Sequence, residues 1–422
     1  MYKEDEDIAD FLAYLQDRYS WPQYVRTTTG KNNHERIIRV MRKMRGTLPM
    51  TAAVQSLNPI VLKNIERSNI KLEAYHEITK ELQAQGMQSY GELILCLPGE
   101  TKASFMKSVE GLIDAGVKRI SAHQLMLLHG APLCNPESRE RYGFKTRFRV
   151  VARNIGKYLD EPVAEIEEIV VETPTFTFAE YLETRVFHLL LTIFFYEGNL
   201  EEVFEFARQS GIKPFDLIVR MQTRLADAPA GFRQLIQDFI RESQEELFDT
   251  KEECIAWARH SFDDLVSGQV GGNLLSKYSM LGRFFVTQDA LDFLETQIVA
   301  ALKELPDAPQ LEPAHTLVDY LKSVLLHAPF AETLAARPHW TTLWDVELWR
   351  REGYQKHLET YRFAEPQTFA CVVEPKRKAV IENRLHTFGE HPAGMGKFTR
   401  TMFARDLHRT LVRVEQSAIV TG

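Results

Sequence analysis

The stretch 89–101, Ser-Tyr-Gly-Glu-Leu-Ile-Leu-Cys-Leu-Pro-Gly-Glu-Thr, decides the fold. Residues 89–97 form a short apolar run that Pro98-Gly99 breaks, the pattern of a strand ending in a tight turn. Directly after it, 101–115 carries a helical apolar period and stops at Gly116. The next strand is expected over 118–128 (KRISAHQLMLL), ending near Gly130. Working upstream, 48–57 (LPMTAAVQSL) reads as a strand, Pro59 opens a short helix, and a helix over 72–85 is closed by Gly86. Helices over 4–19 and 34–45 flank a β-branched run at 24–29 that Gly30 stops. Strand and helix thus alternate at roughly 25–35 residues, as βαβ units of a parallel sheet require. Four such strands in series fit part of a barrel or an open doubly wound sheet. In both, the carboxyl ends of the strands carry the ligand site, and Thr28, Gln55, Glu92 and Gln124 stand at those ends.

Beyond 145 the texture changes. A helix is expected over 148–158 and one more strand over 165–172 (EIEEIVVE), ended by Thr173-Pro174. Helix-period patterns then follow over 178–196, 200–210, 213–226, 232–248, 250–267, 290–305 and 316–327. A short strand pair is expected within 361–380, a helix through 381–385, and a basic final helix over 397–414. The expected organisation is a sheet domain over 1–145, a connecting strand and helix over 146–205, a helical domain over 206–330 and an α+β extension over 331–422.

With 422 residues, 44% apolar and 26% charged, the composition is that of a globular protein of several domains. A net charge of −7 gives no reason to expect affinity for nucleic acid or a membrane surface. The longest apolar run, 186–196, is too short to span a bilayer, and the acidic N-terminus lacks the apolar segment of a signal peptide. The expected compartment is the cytoplasm. Cys96, Cys134, Cys254 and Cys371 are widely spaced, with no CxxC or CxxxCxxC, so no local zinc or cluster loop exists. No histidine spacing supports a metal site. Residues 393–398 (AGMGKF) evoke a phosphate loop, but His391 and Phe398 occupy positions that need glycine and Ser/Thr. Lys397, Arg400, Arg405, Arg409 and Arg413 read as a solvated helix face, and Glu165, Glu167 and Glu168 as an exposed strand face.

Several motifs taken together resemble the later strands of the radical S-adenosylmethionine (SAM) barrel. They are Ala53-Val54-Gln55-Ser56-Leu57, Val61-Leu62-Lys63, Arg67-Ser68-Asn69 and Glu92 to Thr101. Tyr24 to Asn32 and Gln124 to Leu128 are similar to segments of the radical SAM proteins that carry a cobalamin-binding domain. The resemblance implies a partial (β/α) barrel, later strands only, followed by a mostly helical region. It also implies SAM contacts at Gln55, at Arg67 twelve residues on, at Glu92 twenty-five beyond that, and at Met126 beside the adenosyl group. An amide or carboxylate suits a ribose diol, and an Arg fork suits the methionyl carboxylate.

Two departures stand out: Cys96 replaces the glycine usual in that turn, and Thr28 stands where relatives often carry a carboxylate. The larger departure is the absence of the CxxxCxxC that holds the family's [4Fe–4S] cluster. The resemblance therefore implies a chain that begins at an internal methionine, without the cobalamin domain and first three strands. The expected function is the C-terminal portion of a cobalamin-dependent radical SAM enzyme, contributing SAM-binding residues but not cluster ligands. A missing N-terminal half or a separate cluster-bearing chain is the expected partner, and the small-molecule substrate is not specified. The alternative is a non-catalytic scaffold built on a remnant half-barrel.

Overall fold

The computed structural model describes residues 2–22, 25, 34–44, 47–48, 50–69, 76, 79, 89–307, 309–402 and 404–414. The strand expected over 24–29, most of the helix expected over 72–85, and Thr28 lie outside them. The chain divides into two compact units. The first comprises Met1–Val151, Ala164–Thr184 and Leu247–Ala258; the second comprises Ala152–Val163, Arg185–Glu246 and Arg259–Gly422.

The first unit is built on a parallel sheet in the order β1 (Met50–Gln55), β2 (Ser89–Leu95), β3 (Arg119–Gln124). Ala53 pairs with Glu92 and Glu92 with Ser121, so β2 is central. Along β2, Ser89, Gly91, Leu93 and Leu95 are buried while Tyr90, Glu92 and Ile94 are half-buried, the two-residue period of a strand with unequal faces. Gly91 has a packing reason. A Cβ there would stand 3.0 Å from Leu112 of the helix Lys102–Asp114, so its absence admits that helix onto the sheet. Thr101 starts this helix with a capping box: its hydroxyl accepts from Ser104 N–H, and Ser104 returns the bond to Thr101 N–H, both at 3.1 Å. At the amino end, the helices Glu4–Tyr19 and His34–Lys43 share a small core of Ala9, Val40, Met44 and Leu48. Glu6 pairs there with Arg36 and Arg39. Among the described residues no closed barrel forms.

The segment 148–158 is not a helix. It belongs to β4 (Lys145–Tyr158), which pairs with β5 (Glu161–Glu172) as a long hairpin. Phe148, Val150, Val151 and Ile155 satisfy a helical spacing, but tertiary pairing overrides it: Phe148 exchanges backbone hydrogen bonds with Phe248 at 2.9 and 2.8 Å. The turn is Leu159-Asp160, with φ of 51° and 66°. A two-residue hairpin loop with both φ values positive is the type I′ geometry that favours Asn-Gly. Leu159 is wholly exposed there, so it gains nothing from its side chain. Replacing Leu159 with Asn is expected to raise stability by about 1 kcal/mol in denaturant melts. A lower midpoint for that variant would dismiss the strain account.

The second unit is mainly helical and closes on an antiparallel sheet of β6 (His339–Trp344), β7 (Arg362–Val372) and β8 (Thr410–Arg413), with β7 central. The helix Leu274–Phe284, not among the helices expected from sequence, holds Gly282 inside it. Its Cβ would stand 2.5 Å from Ile193, so the glycine serves close helix packing. Met280 and Phe284 join Phe330, Ile381, Met395 and Phe398 in one core cluster.

The basic helix expected over 397–414 is replaced by a short helix Pro392–Phe398, a 3-10 turn Ala404–Leu407 and β8. Nor is its charge all solvated. Arg405 pairs with Glu202 at 2.6 Å. Arg409, 7% exposed, donates to the carbonyls of Ser323, Leu325 and Thr333, the first two at the C-terminus of the helix Glu312–Val324, where a cation is favoured.

Candidate strand-end site

The carboxyl ends of the three parallel strands gather unusual backbone and free polar groups. A register shift between Ala53 and Gln55 marks a bulge, and Gln55 adopts a left-handed φ of 62°. Such conformations are uncommon outside glycine and collect at functional sites. After β2, Cys96 is also left-handed, at φ 60°, followed by Gly99 at 80°. That geometry explains why glycine suits the position that Cys96 fills.

What holds these turns is a buried carboxyl. Glu100 has no solvent exposure, and its side chain accepts from Ser56 Oγ at 2.6 Å and from Ser104 Oγ. Ser56 directly follows Gln55, so Glu100 ties the end of β1 to the turn after β2. The backbone carbonyl of Ser56 accepts from Asn69 Nδ2 at 2.6 Å, which brings the 67–69 segment to the same strand end. Asn64 Nδ2 donates to Pro98 O at 2.9 Å and closes the other side of the turn.

Gln55 ends β1 and is half-buried; Glu92 lies on the less covered face of β2. Arg67 is exposed, its backbone N–H bonded to Leu62 O at 2.9 Å. The side chains of Gln55, Arg67 and Glu92 make no hydrogen bond or ion pair with other described residues. Met126 lies just past β3, is 41% exposed, and forms an isolated bridge with Ile169. Strand pairing brings Gln55 and Glu92 onto neighbouring strands, and Asn69 anchors the segment that carries Arg67.

Beyond those four, the helix Pro136–Tyr142 and the hairpin supply further paired charges, one of which reaches Gln124 at the end of β3. Arg149 Nη2 donates to Gln124 Oε1 at 2.8 Å and its Nε pairs with Glu167. Arg139 forks onto Glu168 at 2.6 and 2.7 Å, with Thr146 Oγ1 adding a bond of 2.7 Å. The Arg139 hydrogen bonds hold the Glu168 carboxyl below its ordinary range against the opposing effect of burial. Glu167 and Glu168 are each 15% exposed and paired, not members of a solvated face. Arg149 went unseen because its segment passed for a helix.

The cysteines do not suit a cluster. Cys96, Cys254 and Cys371 are buried, and burial pushes the Cys254 thiol up to about 12 and the Cys371 thiol up to about 11, away from the thiolate that iron needs. Among the described residues no three His, Cys, Asp or Glu side chains come together as a metal site. No described helix is long and apolar enough to cross a membrane.

No protein-family model matches the chain. Over 174 residues, 40% of its length, it is 33% identical to the cobalamin-dependent radical SAM methyltransferase TokK of Streptomyces tokunonensis, covering 25% of that protein. The match supports the radical SAM family. Over 188 residues, 42% of its length, the chain is 29% identical to the 2-(S-pantetheinyl)-carbapenam-3-carboxylate methyltransferase of Streptantibioticus cattleyicolor, covering 27% of it. The chain thus spans about a quarter of the length of the curated radical SAM and methyltransferase relatives it matches.

Proposed function

We propose that this chain supplies the SAM-binding portion of a cobalamin-dependent radical SAM methyltransferase, with its parallel sheet serving as the later strands of the barrel. The observation that carries the reading is a set of uncommitted side chains on and beside the sheet: left-handed Gln55 at the end of β1, Glu92 midway along β2, and Arg67 on a segment anchored to Ser56. Arg67 suits the methionyl carboxylate, while Gln55 and Glu92 suit hydroxyls and amines of the ligand. Met126 adds an apolar surface at the end of β3.

A cluster, when bound, would supply the electron that cleaves SAM, but the cysteines here do not fit that role. The ligands of the cluster therefore have to come from other polypeptide, in the same protein or in a partner. No residue here is assigned to cobalamin.

Calorimetric titration of the full chain with SAM tests the reading. Saturable binding is expected, and Arg67→Ala should weaken it by about tenfold or more through loss of a charge-assisted bond. Folded wild-type protein that takes up no SAM would overturn the proposal, and so would an unchanged affinity in Arg67→Ala.

A further inference from the structure

We propose that Gln124 is a further ligand-binding residue, a hydrogen-bond donor at the carboxyl end of β3, and that Arg149 is the residue that positions it. The inference rests on the SAM-binding reading and extends that site onto the hairpin.

Arg149 Nη2 lies 2.8 Å from Gln124 Oε1. A guanidinium donates and never accepts, so the amide must turn its oxygen toward Arg149. The choice between amide oxygen and nitrogen, usually open for a glutamine, is thereby settled chemically. The Nε2 group then points away from Arg149, and it makes no hydrogen bond to another described residue.

Arg149 is itself held. Its Nε meets Glu167 on the neighbouring strand, with side chains only 17% and 15% exposed. The hairpin is also laced to the chain leaving β3: Leu127 N–H donates to Glu168 O and Val170 N–H to Leu125 O, both at 2.9 Å. Carboxylate, guanidinium and amide therefore form a fixed series that ends in an unused NH2 at a strand terminus. Partly buried charges of this kind return little net stability. Their structural result is one amide with a single orientation. Such a group recognises an acceptor, so its partner on SAM is a ring nitrogen or an oxygen, not an ammonium.

The test is SAM titration of the full chain as wild type, Arg67→Ala, Gln124→Glu, Gln124→Ala, Arg149→Ala and the Gln124→Ala/Arg149→Ala double variant, each with its unfolding midpoint. Gln124→Glu keeps an acceptor for Arg149 but replaces the free donor with an oxygen. It should weaken SAM binding by about tenfold, and Gln124→Ala by about fivefold. Arg149→Ala should weaken binding to a similar degree in the wild-type background and not further when Gln124 is already alanine, because it acts through the amide. If Gln124→Glu unfolds, Gln124→Ala at an unchanged midpoint carries the test. Wild-type affinity in both Gln124 variants, with binding lost in Arg67→Ala, would overturn this inference and leave the SAM reading standing. An Arg149→Ala loss that is equal with and without Gln124 would reduce Arg149 to a structural role and refute the positioning claim. Absence of SAM binding by wild type overturns both.

Discussion

Replacing Arg405 with alanine is expected to destabilise the second unit by about 3 kcal/mol. Its partner Glu202 has no solvent exposure and lies 2.6 Å from Arg405 Nη1. The second oxygen of Glu202 already lacks a hydrogen-bond partner in its buried position. Arg405 also sits 3.6 Å from Glu201 and 3.5 Å from the Tyr354 hydroxyl, whose ionisation is pushed up by burial and by the charges of Glu202 and Glu201. Removing the guanidinium leaves a buried carboxylate without its ion-pair partner, and that penalty exceeds the modest net value of the pair itself. For a unit of this size the loss corresponds to a midpoint lower by roughly 6–12 °C. Replacing both partners at once, Arg405→Met with Glu202→Leu, should restore stability to within about 1 kcal/mol of wild type, because no charge is then stranded. A single variant that melts within about 2 °C of wild type would show that Glu202 is not electrostatically dependent on Arg405.

Glu100→Ala should cost about 2–4 kcal/mol in the first unit, since it leaves two serine hydroxyls without their acceptor and opens a void. The more telling variant is Glu100→Gln. Burial pushes the Glu100 carboxyl above its usual 4.5, while bonds from Ser104 and Ser56 hold it back. A raised value means that the folded state binds more protons than the unfolded state between 4.5 and the folded value. The stabilisation is full below 4.5 and is lost as pH rises through the folded value. Glu100→Gln has no proton to lose, so its stability should stay level across that window while wild type declines. Parallel curves for the two proteins, measured by urea unfolding at a series of pH values, would contradict the assignment. Because Ser56 adjoins Gln55, Glu100→Ala should also weaken SAM binding, whereas Glu100→Gln at low pH should not.

How much of this was legible beforehand depended on the range of the interactions. The helix Glu4–Tyr19, the strand–turn–helix from Ser89 to Asp114, and β1 followed by the Asn58-capped helix Pro59–Asn64 are local structures. Their period, caps and glycines lie within a few residues of one another, so sequence pattern suffices. The positions of Gln55 and Gln124 at the ends of β1 and β3 follow from that alternation alone, whereas Glu92, expected at a strand end, lies midway along β2.

The segments misread from sequence all depend on distant partners. Residues 148–158 satisfy helix and strand spacing equally, and pairing with β5 and Phe248 selects the strand. The run from Lys397 to Arg413 has enough charge for a solvated helix, yet Arg405 and Arg409 are claimed by Glu202 and by three carbonyls from far earlier in the chain. Glu167 and Arg149 become one unit only when the hairpin lays both against the end of β3.

Sequence by itself determined the alternating strands and helices of the first unit and the lack of a CxxxCxxC triad, because each is written in neighbouring residues. Tertiary structure alone decided which charges are buried, how Gln55 and Cys96 twist, and which way Gln124 turns its amide. Those outcomes depend on desolvation and on hydrogen-bond partners that only folding brings within 3 Å.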